Sequence, residues 1–149
     1  MRPAFVRGCL MLIAVAACAA EPPYAPLKQW GEFGIQPGRF RYPAGIAVDG
    51  AANVYVVDQH NHRVQKFDAE GRFLLAWGKE GGQEGQFKYP FGIAIDSRGD
   101  VYVSDMDNHR VQKFSPRGEF IRSVGRYGAG ESEFKHPYGL AFDARDILY

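Results

Sequence analysis

Aspartate, asparagine, histidine and arginine occur twice in the same order, as Asp58, Asn61, His62 and Arg63 and again as Asp105, Asn108, His109 and Arg110. A carboxylate beside an imidazole and a guanidinium is raw material for general acid–base catalysis. The identical return of the set argues the other way. Polar side chains that recur with every structural unit serve every unit, by hydrogen bonding turn backbone and neighbouring units. These eight residues are therefore expected to be repeat-structural, and no catalytic residue is expected. The sequence carries no paired-carboxylate, Ser-His-Asp or phosphate-loop arrangement. Gly78, Gly81, Gly82 and Gly85 read as an open loop between units. Neither a metal site nor a cofactor is expected: His60 stands alone, His136 precedes a proline, and Cys9 and Cys18 are the only cysteines.

What positions such residues is a repeat. Prolines at 43, 90 and 137, aspartates at 49, 96 and 143, and phenylalanines at 40, 87 and 134 give a period of 47 residues, and residues 41–87 match 88–134 without a gap at 23 positions. Within one period, short β-branched and aromatic runs are separated by turn residues. The spacing predicts strands over 45–49, 54–58, 63–67 and 72–77, with no helix. Several of these runs are apolar on both faces, as a sheet sandwiched between other sheets requires. An all-β fold of four-stranded antiparallel blades is expected, arranged radially as in a propeller. A β-solenoid would need a much shorter repeat.

The units YPAGIAVDGAANVYVVDQHNHRVQKFDAEGRF and YPFGIAIDSRGDVYVSDMDNHRVQKFSPRGEF resemble NHL repeats, including the proline, both aspartates, the NHRV motif and the glycine before the last strand. The resemblance covers about residues 28–149, with blades at 41–87 and 88–134 and a partial blade at 135–149. It implies a six-bladed propeller, which would need roughly 280 residues at this period. The chain would then be a truncated product, or one of several short chains assembling a ring. Residues 27–30 align with the fourth strand of a blade. Unpaired edges leave self-association open.

Recognition is expected where the blades differ. The differing positions include Ala44, Phe91 and Tyr138 after the prolines, Gln59 and His60 against Met106 and Asp107, and Val57 against Ser104; Tyr42 and Tyr89, before the prolines, stand beside the first set. In a closed propeller the residues beside the proline line the mouth of the central channel, where an aromatic rim would suit a sugar, peptide or apolar ligand. Packing between blades is the competing role for them. Amidating lyases with a related propeller place zinc-binding histidines directly after the corresponding prolines; Ala44, Phe91 and Tyr138 cannot serve. The expected function is a non-enzymatic scaffold for a protein, peptide or carbohydrate. The alternative is a fragment of a propeller enzyme, amidating-lyase-like or lactonase-like, whose catalytic blades lie elsewhere.

The amino-terminal segment sets the compartment. Arg2 and Arg7 precede an apolar run over 8–17, too short to span a bilayer and suited to an export signal. Val15 to Cys18, VAAC, resembles a lipobox, which would make 1–17 a signal peptide, Cys18 a lipidated amino terminus and 18–27 a proline-rich tether. Ordinary signal-peptidase cleavage and secretion is the alternative. Either way the protein is expected to be exported, and a lipid anchor is the only membrane attachment expected. From Cys18 onward 16 basic residues face 17 acidic ones, so nucleic acid is not an expected partner, despite Arg117, Arg122 and Arg126.

Overall fold

The computed structural model describes residues 28–149; the signal segment, Cys18 and the 18–27 tether lie outside them. After a two-residue parallel ribbon, β1 (Glu32–Phe33) with β2 (Arg39–Phe40), the chain forms two antiparallel four-stranded sheets. The first is β3 (Pro43–Val48), β4 (Val54–Asp58), β5 (Arg63–Phe67) and β6 (Phe73–Trp77), and the second is β7 (Pro90–Ile95), β8 (Val101–Asp105), β9 (Arg110–Phe114) and β10 (Phe120–Val124). Each sheet runs in simple up-and-down order, which makes the protein an all-β stack of propeller blades that does not close into a ring.

Three local readings need correction. The inner strand begins at the proline instead of at Gly45, because a register shift between Pro43 and Ile46 keeps Pro43 opposite Asp58; proline lacks the N–H a ladder needs and is tolerated at a strand's first residue or a bulge. Helical turns do occur, as single 3₁₀ turns at Gln59–Asn61 and Met106–Asn108, each closed by a left-handed histidine, His62 (φ 52°) and His109 (φ 55°). Residues 28–30 do not form the expected strand, since among the described residues no third strand lies beside them. Trp30 nonetheless packs on Phe67 with ring centroids 4.6 Å apart, much as Trp77 packs on Phe114 at 5.8 Å.

Strand alternation gives each blade two working faces. On one face of the first blade Val54, Val56 and Phe67 are covered by Phe40 and Trp30 of the preceding segment. On the other, Tyr55, Val57 and Val64 meet Phe87, Ile93, Val101, Val103 and Phe114 of the second blade in one continuous core. At about 1.5–3 kcal/mol per fully buried large side chain, this joint between blades is the main apolar stabilisation. The next face continues outward through Tyr102, which meets Phe142 edge-on at 4.9 Å.

The first hairpin of each unit is closed by an aspartate. Asp49 accepts the N–H groups of Ala51 and Asn53, Asp96 those of Arg98 and Asp100, and Asp143 those of Arg145 and Ile147. Burial alone would raise the Asp49 carboxyl. Bonds from Asn53, Tyr55 and Ala51 outweigh it and hold the group below the usual carboxylate range, while burial and the same aspartate push the Tyr55 phenol well up.

Candidate functional site

Asp58 and Asp105 are fully buried at the ends of β4 and β8, and the chain surrounds each with donors. Asp58 accepts the Arg41 N–H at 2.7 Å, the Arg63 Nε–H at 2.7 Å, the Gln65 amide at 3.1 Å and the Asn61 amide at 2.8 Å. Asp105 repeats the set with Lys88, Arg110, Gln112 and Asn108. The donors then reach past the carboxylate to the linker that enters the blade. Asn108 holds the carbonyl of Gly81, Arg110 those of Gln83 and Gln86, and Gln112 that of Gln86 while accepting the Gly85 N–H at 3.0 Å. In the first blade Asn61, Arg63 and Gln65 hold Gly34, Gln36, Gly38 and Arg39 in the same manner. Both carboxylates are thus buried and each is met by donors from four residues. Gln65 and Gln112 were missed as members, although the identical RVQKF runs carried the signal.

His62 and His109 belong to the same motif but face outward. The Nδ1 of His62 accepts the N–H of Tyr89 at 3.2 Å, and that of His109 accepts the N–H of His136 at 3.3 Å. Each imidazole that accepts at Nδ1 carries its proton on Nε2. Both tie one blade to the next, and both bring rings together.

Above the network, at the blade end holding the 3₁₀ turns, these rings form a strip. Exposed Tyr42 lies 4.3 Å from His60, His60 meets Tyr89 edge-on at 5.4 Å, and Tyr89 meets His62 at 4.9 Å. One blade later the sequence changes and so does the chemistry. Asp107 takes the place of His60, and the Nδ1 of His136 lies 3.2 Å from its Oδ1. His136 also meets His109 at 4.7 Å, and His109 meets Tyr127 at 4.9 Å. Tyr127 was not anticipated, although it replaces Glu80 of the preceding unit and so sits where the repeats differ. Gln59 and Met106 are the partly buried first residues of the two turns.

The residues after the prolines part company with this strip. Phe91, on β7, and Tyr138, in the irregular segment after Pro137, meet edge-on at 5.1 Å, with Tyr138 largely exposed. Ala44 contributes no ring. Among the described residues, no three histidine, cysteine, aspartate or glutamate side chains gather to hold a metal ion.

The family model of the NHL repeat matches residues 40–67 and 87–114. Among curated proteins, the B-box type zinc finger protein ncl-1 of Caenorhabditis elegans is 51% identical over 45 residues, which is 30% of this chain and 5% of that protein. Protein brain tumor of Drosophila melanogaster is 42% identical over 60 residues, 35% of this chain and 6% of that one. The chain thus spans only a small part of either relative. Among solved structures, a Bacteroides thetaiotaomicron protein of unknown function superposes with a TM-score of 0.63 at 20% identity, over 80% of this chain and 34% of that one. An auxiliary nutrient binding protein of the same organism gives 0.57 at 18% identity, over 78% and 36%. Virginiamycin B lyase of Staphylococcus aureus, an H270A form with quinupristin, gives 0.55 at 13%, over 71% and 33%. At these identities the likeness concerns the fold.

Proposed function

We propose that this chain, which carries NHL repeats arranged as propeller blades, is a binding scaffold that presents one blade end to a protein, peptide or carbohydrate. The carrying observation is the division of labour between the two sets of polar and aromatic residues. The buried Asp, Asn, Arg and Gln side chains of both blades are consumed by the linkers, whereas the rings of Tyr42, His60 and Tyr89 stand in a row at the surface. Tyrosine and histidine offer a flat apolar face with a polar tip, which suits a sugar ring or an extended peptide. A binding role also accords with the nutrient-binding neighbour. The test is to probe a glycan array and a displayed random-peptide library with the chain and with a Tyr42→Ala, His60→Ala double variant. Ligands selected by the first and lost by the second support the reading; equal selection by both removes the strip from it.

A second reading has one observation behind it. The imidazole of His136 lies against the carboxylate of Asp107, a pairing of groups that general-base catalysis uses, and a lyase shares the fold. On that reading the chain contributes part of a propeller enzyme, and a His136→Ala change in the longest natural form would abolish turnover without altering assembly.

The compartment belongs to the same proposal. A lipid-anchored or secreted protein of the cell envelope would present the blade end away from the membrane. Loss of fatty-acid labelling in Cys18→Ala supports the anchor, and unchanged labelling refutes it.

A further inference from the structure

The two histidines of the repeated motif fasten the following linker to their own blade, and they do so as acceptors. His62 ends its 3₁₀ turn in left-handed backbone and receives the N–H of Tyr89; His109 does the same for His136. The residues they hold are left-handed as well, Tyr89 at φ 51° and His136 at φ 52°, a conformation that bulky side chains adopt uncommonly. Among the described residues, these are the motif's only linker bonds that depend on an imidazole nitrogen.

An imidazole accepts at Nδ1 only while that nitrogen is bare. A second proton turns Nδ1 into a donor, so two N–H groups then face each other and the bond is lost. Opening of the bond and protonation of its histidine are thus linked. The surroundings of the two sites differ. His62 meets Tyr89, whose ring also meets His60, and the linker brings Lys88 beside Tyr89 and Glu80 opposite Phe87. His109 meets Tyr127 and His136, Lys135 lies over the Tyr127 ring, and the Asp107 carboxylate lies 3.2 Å from His136. Charging both His109 and His136, with ring centroids 4.7 Å apart, adds like-charge repulsion.

We infer that His62 and His109 are proton-operated fasteners: neutral, they hold Tyr89 and His136 at the blade end, and protonated, they release them and take the ring strip apart. Tyr89 is the ring that both His60 and His62 meet, so its release breaks the strip at that point. For a ligand the consequence is capture in neutral medium and release in acid. That consequence rests on the strip being the binding surface; the fasteners themselves do not.

The experiment needs no ligand, so a failed ligand screen leaves its result intact. The full chain in non-denaturing detergent is followed by NMR from about pH 8 to pH 5, the interval in which imidazoles ordinarily change charge. Exchange of the Tyr89 amide, referred to the rate of an unstructured chain at each pH, is expected to lose about tenfold protection, the worth of one hydrogen bond. Cross-relaxation between the His60 and Tyr89 rings fades with it, while the amides of Val56 and Val103, inside the strands, keep their protection. His62→Asn puts a carboxamide oxygen where Nδ1 stood, tolerates left-handed backbone and takes up no proton, so its Tyr89 protection is expected not to change between the two ends of the range. Wild-type protection that is the same at both ends overturns the inference. So does a loss in His62→Asn equal to that of wild type, or a ring contact that survives after the amide has opened.

Discussion

Ser104 donates its hydroxyl proton to the carbonyl of Tyr138 at 2.6 Å and accepts the N–H of Gly92 at 2.7 Å, so one buried oxygen joins β8 both to its own inner strand and to the next unit. The first blade has Val57 at this place. The hydroxyl satisfies two backbone groups that valine would leave unsatisfied. Ser104→Val is expected to lower stability by about 1–3 kcal/mol, read by chemical denaturation. The reverse change, Val57→Ser, is also expected to destabilise, by inserting a hydroxyl into an apolar core.

Asp105 anchors the linker network, and removing it strands the donors it gathers. Asp105→Ala is expected to cost about 3–5 kcal/mol, because Arg110 keeps its charge beside a buried void. Gln112→Ala removes two linker bonds and no charge, and is expected to cost less, about 1–3 kcal/mol. A denaturation series that inverts this order would show that the carboxylate is not the centre of the network.

The glycines at the joints make a sharp steric forecast. A Cβ on Gly92 would collide with the carbonyl oxygen of Tyr138, so Gly92→Ala pushes the next unit away from β7 and is expected to destabilise by about 1–3 kcal/mol, whereas Gly139→Ala, with nothing within 4 Å of its Cβ among the described residues, is expected to leave the melting temperature unchanged.

Acid sensitivity follows from the hairpin aspartates. Burial raises the Asp96 carboxyl, but backbone bonds from Asp100 and Arg98, the charge of Lys113 and a side-chain bond from Arg98 lower it by more, leaving it below its usual value. Its folded value therefore lies under the unfolded value of about 3.9. The stability it contributes is complete above that unfolded value and is lost as pH falls through the folded one. Asp96→Asn is expected to be less stable than wild type at pH 7 and to lose less on acidification from pH about 4 to 2, as followed by circular dichroism.

The fold class was legible because the 47-residue period repeats both the strand alternation and the turn chemistry, from Asp49 to Asp96 to Asp143. Those signals are local. What the sequence could not display is reach. Gln65 and Gln112 sit mid-strand and read as ladder residues, yet their amides cross to linkers 26 or 27 residues earlier in the chain. The ring strip was legible only in its members. Tyr42, His60 and Tyr89 were marked by their positions beside the proline and the turn, but their meeting depends on left-handed backbone at Tyr42 and Tyr89, which no β-propensity announces. Phe91 and Tyr138 were grouped with them and instead meet each other, Phe91 on β7 and Tyr138 after Pro137.

The linker network places the unit of cooperativity out of step with the unit of sequence. Each aspartate grips the linker that precedes its own proline, so one mechanically complete module runs from about residue 81 to 124 and its predecessor from about 34 to 77. Cutting or shuffling the gene at the prolines would separate every network from the six hydrogen bonds it makes to its linker, while cutting just after Trp77 or Val124 would leave each module whole. Blades of this type should therefore recombine productively at the outer strand, and a library of chimaeras with both sets of crossovers would reveal the offset directly in the fraction that folds.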